Sequence, residues 1–392
     1  MGEQLKFPQP IHVTKPKLPK FEEYTDKIKD IWENNWLTND GPLHEEFKTN
    51  LKDYLGASEL ELFTNGHLAL ELALKTLEEK GEIITTPFTF ASTIHAIKNT
   101  GFQPVFCDIE LNTFNIDVKQ IEHLITEKTR AIVAVHVFGN PCDVVELDRI
   151  SRDYGIPLIY DAAHAFGVKV NGNFIGEYGD VSMFSMHATK VFHSIEGGVL
   201  CYKRKDLTKL LKALKNFGIT SSETVDYIGI NAKMNEFQAA MGLVNLKEID
   251  QDILKRKEVY HLYEKHLSEI PGINLVRINR NVQHNYSYFP ILLENLNMRD
   301  YLNEVLKEYN LFTRKYFYPL CNDFGCYSFN SNETPVAVYV SDRILALPMY
   351  SELTSDEVKQ ICTIIKIVLE DYHIQDNNRM TNQVGELSNE PV

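Results

Sequence analysis

The chain has 392 residues, of which 44% are hydrophobic and 11% aromatic, and this composition indicates a folded globular protein rather than a disordered one. A chain of this length exceeds what one hydrophobic core usually serves, so we expect two domains. The formal net charge of −14 is not offset by any basic block, which argues against a nucleic-acid-binding protein. No apolar run is long enough to predict a membrane span.

Six cysteines are scattered along the chain without a CxxC pair or a regular framework. This pattern predicts reduced thiols in a cytoplasmic protein. We predict no metal site.

The first half of the chain predicts an arm followed by alternating helices and strands. Four prolines between positions 8 and 19 predict an extended N-terminal arm, which we end at residue 25. Helices are predicted at residues 43–55, closed by Gly56, and from the turn at Gly66 to about residue 80. Apolar runs at 60–63, 83–87, 104–108, 131–137 and 157–161 alternate with helical stretches, which favours an α/β fold with a mostly parallel sheet flanked by helices.

The second half predicts a smaller α+β unit. The lysine-rich stretch 203–215 reads as a helix with a solvated face, and a long charged helix follows at about 243–268. A strand at 285–293, a helix at 299–309 and an amphipathic helix at 355–372 come next. We therefore predict a large domain at 26–245, a small C-terminal domain at 246–373 and a disordered tail at 374–392.

Two segments near the middle of the chain carry groups that suit one cofactor. Lys190 lies in Phe184-Ser-Met-His-Ala-Thr-Lys190, ahead of Glu196-Gly-Gly, and Asp161 ends the apolar run that begins at Pro157. Taken singly, the lysine reads as a surface residue and the acid as a helix N-cap. Taken together, they are the pair that pyridoxal phosphate needs, a lysine for the Schiff base and a carboxylate facing the pyridinium nitrogen.

With these motifs the chain resembles the DegT/DnrJ/EryC1/StrS family of sugar aminotransferases, which are pyridoxal phosphate enzymes of fold type I. The likeness runs from about residue 13 to residue 350. The form His187-Ala-Thr-Lys190-Val-Phe192 resembles in particular the enzymes that aminate C4 of a dTDP-4-keto-6-deoxyhexose. The resemblance implies pyridoxal 5'-phosphate as cofactor, L-glutamate as donor, a dTDP-4-keto-6-deoxyglucose-like acceptor, and a role in O-antigen-type deoxyamino sugar biosynthesis.

The resemblance also implies roles for individual residues, with Lys190 and Asp161 as the catalytic pair. It implies further cofactor contacts from Gly66, His67, Phe90, His164, Ser185 and Asn231. It makes Thr38, His187, Arg314 and Lys315 candidates for substrate binding. His67 departs from the family pattern, because a small hydroxyl residue is usual there. For His164, a histidine packed in the core is an equally good interpretation.

Asn231 bears on the oligomeric state. In the family this position reaches the cofactor phosphate of the neighbouring subunit, which implies a homodimer with shared active sites. Ala232 and Lys233 replace the tyrosine and arginine that usually follow. The alternative role for Asn231 is the N-cap of the next helix.

Three other functions were considered. Amination at C3 by the same family is disfavoured, because the residues after Lys190 differ from those of such relatives. A nicotinamide oxidoreductase is disfavoured, because no G-x-G-x-x-G follows an early strand. A non-catalytic pyridoxal-phosphate-binding regulatory protein is the third, and it draws on the departures at His67, Ala232 and Lys233.

Overall fold

The protein is described by a computed structural model that covers residues 5–276, 278, 281–329 and 333–387. The strands are β1 (Glu59–Phe63), β2 (Glu82–Thr85), β3 (Gln103–Phe106), β4 (Thr129–Val135), β5 (Leu158–Asp161), β6 (Lys169–Val170), β7 (Asn173–Phe174), β8 (Val181–Ser185), β9 (Gly198–Tyr202), β10 (Ile273–Leu275), β11 (Val282–Gln283), β12 (Phe289–Leu293) and β13 (Ile344–Leu347). The α-helices are α1 (Phe21–Asn34), α2 (Pro42–Leu55), α3 (Gly66–Lys75), α4 (Ala91–Asn99), α5 (Val118–Leu124), α6 (Val144–Tyr154), α7 (Leu207–Leu214), α8 (Glu236–Leu246), α9 (Ile249–Leu267), α10 (Leu296–Val305), α11 (Pro335–Ser341) and α12 (Ser355–Leu387).

The main sheet has seven strands in the order β1-β9-β8-β5-β4-β2-β3. The five strands from β8 to β3 run parallel, and β9 and β1 extend the sheet in antiparallel fashion. The predicted α/β fold with a mostly parallel sheet is confirmed. Because β5 and β8 are parallel neighbours, Asp161 pairs with Met183, and both strands end at the same edge of the sheet.

Helices pack on both faces of this sheet, as the buried apolar strands require. On one face Phe47 of α2 and Leu147 of α6 are fully buried, and on the other face Leu70 of α3 and Ile97 of α4 are fully buried. The sheet is therefore enclosed, and its strand ends are where side chains can reach an open space.

A second sheet, β10-β12-β13, is antiparallel and shares a hydrophobic core with α9, α10 and α12. The N-terminal arm enters this core through Phe7 and Ile11, which are 3% and 8% exposed. The backbone of the arm is held by hydrogen bonds from the Phe7 amide to the carbonyl of Tyr309 and from the Ile11 amide to that of Asn310. On these two cores we base the proposal of a large domain at 26–245 and a small domain at 246–373.

Several predicted boundaries were wrong. Helix α3 ends at Lys75 rather than near residue 80. The hydroxyl of Thr76, directly after this end, donates a hydrogen bond to the carbonyl of Ala73. The long helix at 243–268 is two helices, α8 and α9, separated at residues 247–248. The strand at 285–293 begins only at Phe289.

The final helix runs to Leu387, where we predicted a disordered tail from residue 374. No proline lies between Ser355 and Pro391, and a helix that is already nucleated gains a hydrogen bond with each added residue. Residues 388–392 of the predicted tail lie outside the described residues.

The lysine-rich stretch at 203–215 does not form a wholly solvated face, because Lys215 is buried. Its Nζ lies 2.6 Å from Glu61 Oε1 and 2.9 Å from Asp40 Oδ1, and Lys48 Nζ lies 2.7 Å from the second oxygen of Glu61. Burial raises the pKa of Glu61, but the charges of Lys215 and Lys48 outweigh burial and hold that pKa below its ordinary value. This ion cluster joins the end of α7 to the edge strand β1.

Replacing Lys215 by alanine should therefore destabilise the fold. Glu61 and Asp40 would lose the buried cation that they share, and removing one partner of a comparable buried pair lowers the free energy of unfolding by about 3–5 kcal/mol. The measurement is urea-induced unfolding at neutral pH. Lys209→Ala, at an exposed position of the same helix, is the control and should change the free energy of unfolding by less than about 0.5 kcal/mol. Equal effects of the two substitutions would contradict a stabilising role of the Lys215 ion cluster.

Candidate active site

A cleft of about 810 Å³ lies at the strand ends of β5 and β8 and is bordered by Arg314, Tyr316 and Phe317 of the C-terminal half. The sequence-predicted residues that it brings together are Gly66, His67, Phe90, Asp161, His164, Ser185, His187, Lys190 and Arg314. A larger cleft of about 960 Å³, lined among others by residues 110–114 and 140–145, contains neither Lys190 nor Asp161. Chemistry rather than size therefore selects the first cleft.

Asp161 is the last residue of β5 and is only 5% exposed. Its Oδ2 accepts a hydrogen bond from Thr93 Oγ1 at 2.8 Å, and its Oδ1 accepts one from the amide of Ala163 at 3.1 Å. Burial raises the pKa of this carboxyl, while these two hydrogen bonds and the charge of Lys190 oppose the rise. The alternative role as a helix N-cap is wrong, because the chain turns at residues 163–167 instead of entering a helix.

Lys190 lies in the loop between β8 and β9, and its backbone amide donates to the carbonyl of His187 at 2.9 Å. Burial lowers the pKa of its amine from 10.5 to about 8, with the charge of Asp161 acting in the opposite direction. The amine forms no ion pair or side-chain hydrogen bond with any residue that the structure describes. A lysine in this state supplies an appreciable fraction of free amine near neutral pH, which is the nucleophilic and basic form.

Gly66 opens helix α3, and Asn65 caps it by accepting a hydrogen bond from the amide of Leu68 at 2.9 Å. A Cβ atom on Gly66 would lie 3.0 Å from Ser185 Cβ and 3.1 Å from Met183 Sδ. A side chain at this position would force its neighbours on β8 to shift by a few tenths of an ångström, so glycine suits this close approach. The unsatisfied amides of the first turn and the hydroxyl of Ser185 thus face one cleft wall, an arrangement that suits a phosphate group.

His164 is 8% exposed and stacks almost parallel to the rings of Phe138 and Phe317. Its Nδ1 accepts a hydrogen bond from the Phe138 amide at 3.3 Å, which assigns the ring proton to Nε2. Burial lowers its pKa well below the ordinary value, so the ring is neutral. His164 is packed like a core histidine and also lines the cleft; its contact with a cofactor stays a prediction.

Two further predicted residues lie on the cleft wall. The ring of Phe90 is 56% exposed at the start of α4, so one face is available for stacking, and stacking on a cofactor stays a prediction. His187 is held within its own loop, with Nδ1 at 2.8 Å from Thr189 Oγ1 and Nε2 at 3.4 Å from Glu196 Oε1.

Arg314 lies at the exposed mouth of the cleft, where its Nη1 donates to the hydroxyl of Tyr316 at 2.7 Å. Lys315 was predicted beside it but does not line the cleft, because its Nζ pairs with Asp300 Oδ1 at 2.6 Å. Thr38 does not line the cleft either. It lies in an exposed loop in which Trp36 Nε1 donates to the Thr38 carbonyl.

Asn231 is exposed and does not line the cleft of its own chain. Its alternative role as a helix N-cap is wrong. The cap of α8 is Asn235, whose Oδ1 accepts from the amide of Gln238 at 2.9 Å. A role of Asn231 toward a neighbouring subunit stays a prediction.

Sequence reasoning missed several residues in the cleft and behind its wall. Thr93 holds Asp161, and its hydroxyl is also 2.8 Å from that of Thr89. The available signal was the pair of threonines four residues apart, on either side of Phe90. Glu196, which was seen only as part of a glycine turn, also lines the cleft, as do Gln238, Tyr288 and Tyr316.

Three further features of the described residues concern thiols, metal ligands and membrane-spanning helices. All six cysteines are free thiols. Within the described ranges, no group of three or more His, Cys, Asp or Glu side chains is arranged to hold a metal ion. No described helix has the length and apolar character needed to cross a membrane.

A model of the DegT/DnrJ/EryC1/StrS aminotransferase family matches residues 20–366. Two similar proteins are the dTDP-4-amino-4,6-dideoxy-D-glucose transaminases of Shigella dysenteriae and Escherichia coli, 41% and 42% identical over 362 residues. The matches cover 91% of this chain and 99% and 98% of those proteins. The crystal structure of DesI in the presence of its TDP-sugar product has a TM-score of 0.90 at 31% identity and covers 95% of this chain and 97% of that one.

The position of Lys190 in the cleft predicts an unusually reactive amine. Competitive acetylation followed by mass spectrometry, on the protein freed of bound ligands, should give Lys190 a reactivity midpoint near pH 8, well below the value of about 10.4 for a lysine in a model peptide. Asp161→Asn should move the Lys190 midpoint lower still, because the carboxylate charge raises the lysine pKa. A Lys190 midpoint at about pH 10.4, the value for a lysine in a model peptide, would contradict the lowered pKa.

Proposed function

Because the chain belongs to the DegT/DnrJ/EryC1/StrS family and is a pyridoxal-phosphate-dependent sugar aminotransferase, we propose that it aminates C4 of a dTDP-4-keto-6-deoxyhexose of glucose configuration. The donor in this proposal is L-glutamate, and the product is a 4-amino-4,6-dideoxy sugar nucleotide. The observation that carries it is the half-buried Lys190, whose amine pairs with no residue that the structure describes, in the same cleft as the buried carboxylate of Asp161.

The residues of the cleft fit the cofactor. Lys190 and Asp161 line one cleft but form no ion pair with each other, so each remains available to a ligand bound in that cleft. Gly66 keeps one wall free of a side chain next to the amides of α3, where a phosphate is favourable. Phe90 offers an exposed aromatic face.

Each of these residues then has a stated task. Bound pyridoxal phosphate supplies an electron sink that makes the Cα proton of an amino acid removable. Asp161 keeps a proton on the ring nitrogen, with its carboxylate oriented by Thr93 and the Ala163 amide. Lys190 would hold the cofactor covalently through its Nζ. When free, the same amine would take up the Cα proton of the amino donor as a general base and give it back as a general acid, a task for which a lowered pKa is suited.

The proposed substrates rest on the relatives and on charge. The two transaminases that share 41–42% of their residues with this chain are named for a dTDP-4-amino-4,6-dideoxy-D-glucose, and DesI has a TDP-sugar product. A chain with a net charge of −14 repels an anionic nucleotide sugar unless the cleft supplies local positive charge. Arg314 at the mouth is our candidate for contacting the diphosphate or the carboxylate of the donor.

We also propose a homodimer with shared active sites, in which Asn231 contacts the cofactor phosphate of the neighbouring subunit. Asn231 is exposed, and apolar side chains are exposed in the segment just before it. Val225 is 66% exposed and Ile228 is 90% exposed. Such exposed apolar side chains are typical of an interface.

The proposed reaction predicts a defined product. Incubation of the purified protein with L-glutamate and dTDP-4-keto-6-deoxyglucose should give 2-oxoglutarate and an amino sugar whose new C4–N bond is visible by NMR. An amine at C3 would favour the alternative within the family. A protein that binds pyridoxal phosphate but gives no product with either keto sugar would support the regulatory alternative.

Two substitutions separate the roles of the catalytic pair. Lys190→Ala should abolish both turnover and the visible absorbance band of the lysine-bound cofactor. Asp161→Asn should reduce turnover far more than cofactor content, because its role is electronic rather than one of retention. Lys209→Ala is the matched control for an exposed lysine. Retained activity in Lys190→Ala, or equal losses of turnover and cofactor in Asp161→Asn, would contradict the assignment.

Shared sites predict that two inactive variants restore activity when mixed. Lys190→Ala and Asn231→Asp subunits should form mixed dimers in which one site has both wild-type residues. Refolding an equal mixture should therefore recover about a quarter of wild-type activity, because about half of the dimers are mixed and each has one intact site. Mixing Lys190→Ala with Asp161→Asn should restore nothing if each site takes both residues from one chain. The absence of recovery in the first mixture would contradict shared sites.

A further inference from the structure

His67 is the second residue of α3 and lines the cleft that contains Lys190 and Asp161. Its Nδ1 lies 2.9 Å from Ser92 Oγ, and its Nε2 lies 3.1 Å from Glu71 Oε1. Ser92 lies on α4 and lines the same cleft. The imidazole is thus fixed between an acid behind it and a hydroxyl that borders the proposed cofactor site.

The acid sets the direction of the hydrogen bonds. A carboxylate can only accept, so the Nε2 proton of His67 is given to Glu71 in both charge states of the ring. Glu71 is held in turn by Asn99, whose Nδ2 donates to it at 2.7 Å, and its side chain is 12% exposed. The state of Nδ1 then depends only on whether the ring carries its second proton.

That second proton decides what Ser92 can do. When His67 is charged, Nδ1 is a donor, and the Ser92 oxygen must accept from it, which leaves the serine proton available to another acceptor. When His67 is neutral, Nδ1 carries a lone pair and accepts the hydrogen bond of the Ser92 hydroxyl. The hydroxyl of Ser92 is therefore a donor toward the cleft only while His67 is charged.

We propose that His67 and Ser92 form a protonation-dependent phosphate contact, in which charged His67 directs the Ser92 hydroxyl proton to the cofactor phosphate and neutral His67 withdraws it. The proposal rests on the proposed function, because it takes the phosphate of pyridoxal phosphate to lie at this wall. In this contact the hydroxyl of Ser92, on the neighbouring helix α4, takes the place of the small hydroxyl residue that the family usually has at position 67.

The charges around His67 favour the charged form in the absence of ligand. The hydrogen bond to Glu71 raises the pKa of His67 above its ordinary value of 6.5; burial opposes the rise, and the charges of Glu71 and Asp161 add to it. Ser92 and Asn99, which α4 presents to this pair, are uncharged. Lys190 lies on the opposite loop of the same cleft, where its own charge is reduced by burial.

The sign of the pH dependence follows. The charged form is present below the raised pKa and is lost as the pH increases through it, so retention of the phosphate should weaken with increasing pH. Two other groups act in the opposite direction. The amine of Lys190 becomes neutral and more able to bind the cofactor, and the phosphate itself becomes a dianion above about pH 6. The comparison ligand must therefore share the aldehyde and lack the phosphate.

The experiment measures the dissociation constants of pyridoxal phosphate and of pyridoxal for the protein freed of cofactor, at several pH values from about 7 to 9. In the wild type, the preference for the phosphorylated form should fall by about tenfold for each unit by which a bound phosphate raises the pKa of His67. Ser92→Ala and His67→Gln should each lower the preference at pH 7 and remove its pH dependence. Glu71→Gln should move the fall to lower pH.

His95→Gln is the matched control, since His95 lies on α4, bonds the hydroxyl of Tyr327 and does not line the cleft. It should leave the preference and its pH dependence unchanged. A pH-independent preference in the wild type, or a pH dependence that survives in Ser92→Ala, would overturn the contact. A wild type that binds neither pyridoxal phosphate nor pyridoxal would instead contradict the proposed function. NMR titration of histidine-labelled protein, in which the His67 pKa should rise when pyridoxal phosphate binds, gives a second measurement if a variant does not fold.

Discussion

The separation of two opposite charges inside one buried cleft is the constraint on which the site depends. Lys190 and Asp161 would gain from direct contact, yet the Asp161 oxygens are occupied by Thr93 and the Ala163 amide while Lys190 is carried on a different segment. Burial then acts on both groups and moves both pKa values toward the neutral forms. A ligand that binds between them can replace, with its own charges and hydrogen bonds, the hydration that each group lost on burial.

The sheet topology makes this separation possible. Parallel pairing of β5 with β8 brings Asp161 beside Met183, and the antiparallel return of β9 makes the loop that carries Lys190 a hairpin connection at the same edge. Gly198 at the start of β9 approaches the helix start so closely that a Cβ would lie 2.3 Å from the carbonyl oxygen of Asn65. Helix α3, strand β9 and the lysine loop are therefore fixed relative to one another by backbone contacts.

The sequence predicted the α/β fold and nine of the residues that line the cleft, because strand-end residues such as Asp161 and glycines such as Gly66 have local signatures. It could not predict contacts that depend on tertiary packing. The burial of Lys215 arises from Glu61 and Asp40, which lie 154 and 175 residues earlier in the chain. Likewise, Lys315 follows Arg314 directly, but its partner Asp300 on α10 takes it out of the cleft. Spacing along the chain carries no information about such partners.

The N-terminal arm has a consequence for how the chain acquires its structure during synthesis. The amide of Phe312 bonds the carbonyl of Ile11, and that of Met349 bonds the carbonyl of Val13, so residues near the start of the chain contact residues more than three-quarters of the way along it. The arm leaves the ribosome early and must wait, with Phe7 and Ile11 exposed, until about three hundred further residues have been added. The arm can therefore join the core of the small domain only after Phe312 and Met349 have been made, and its docking closes a loop that spans most of the chain.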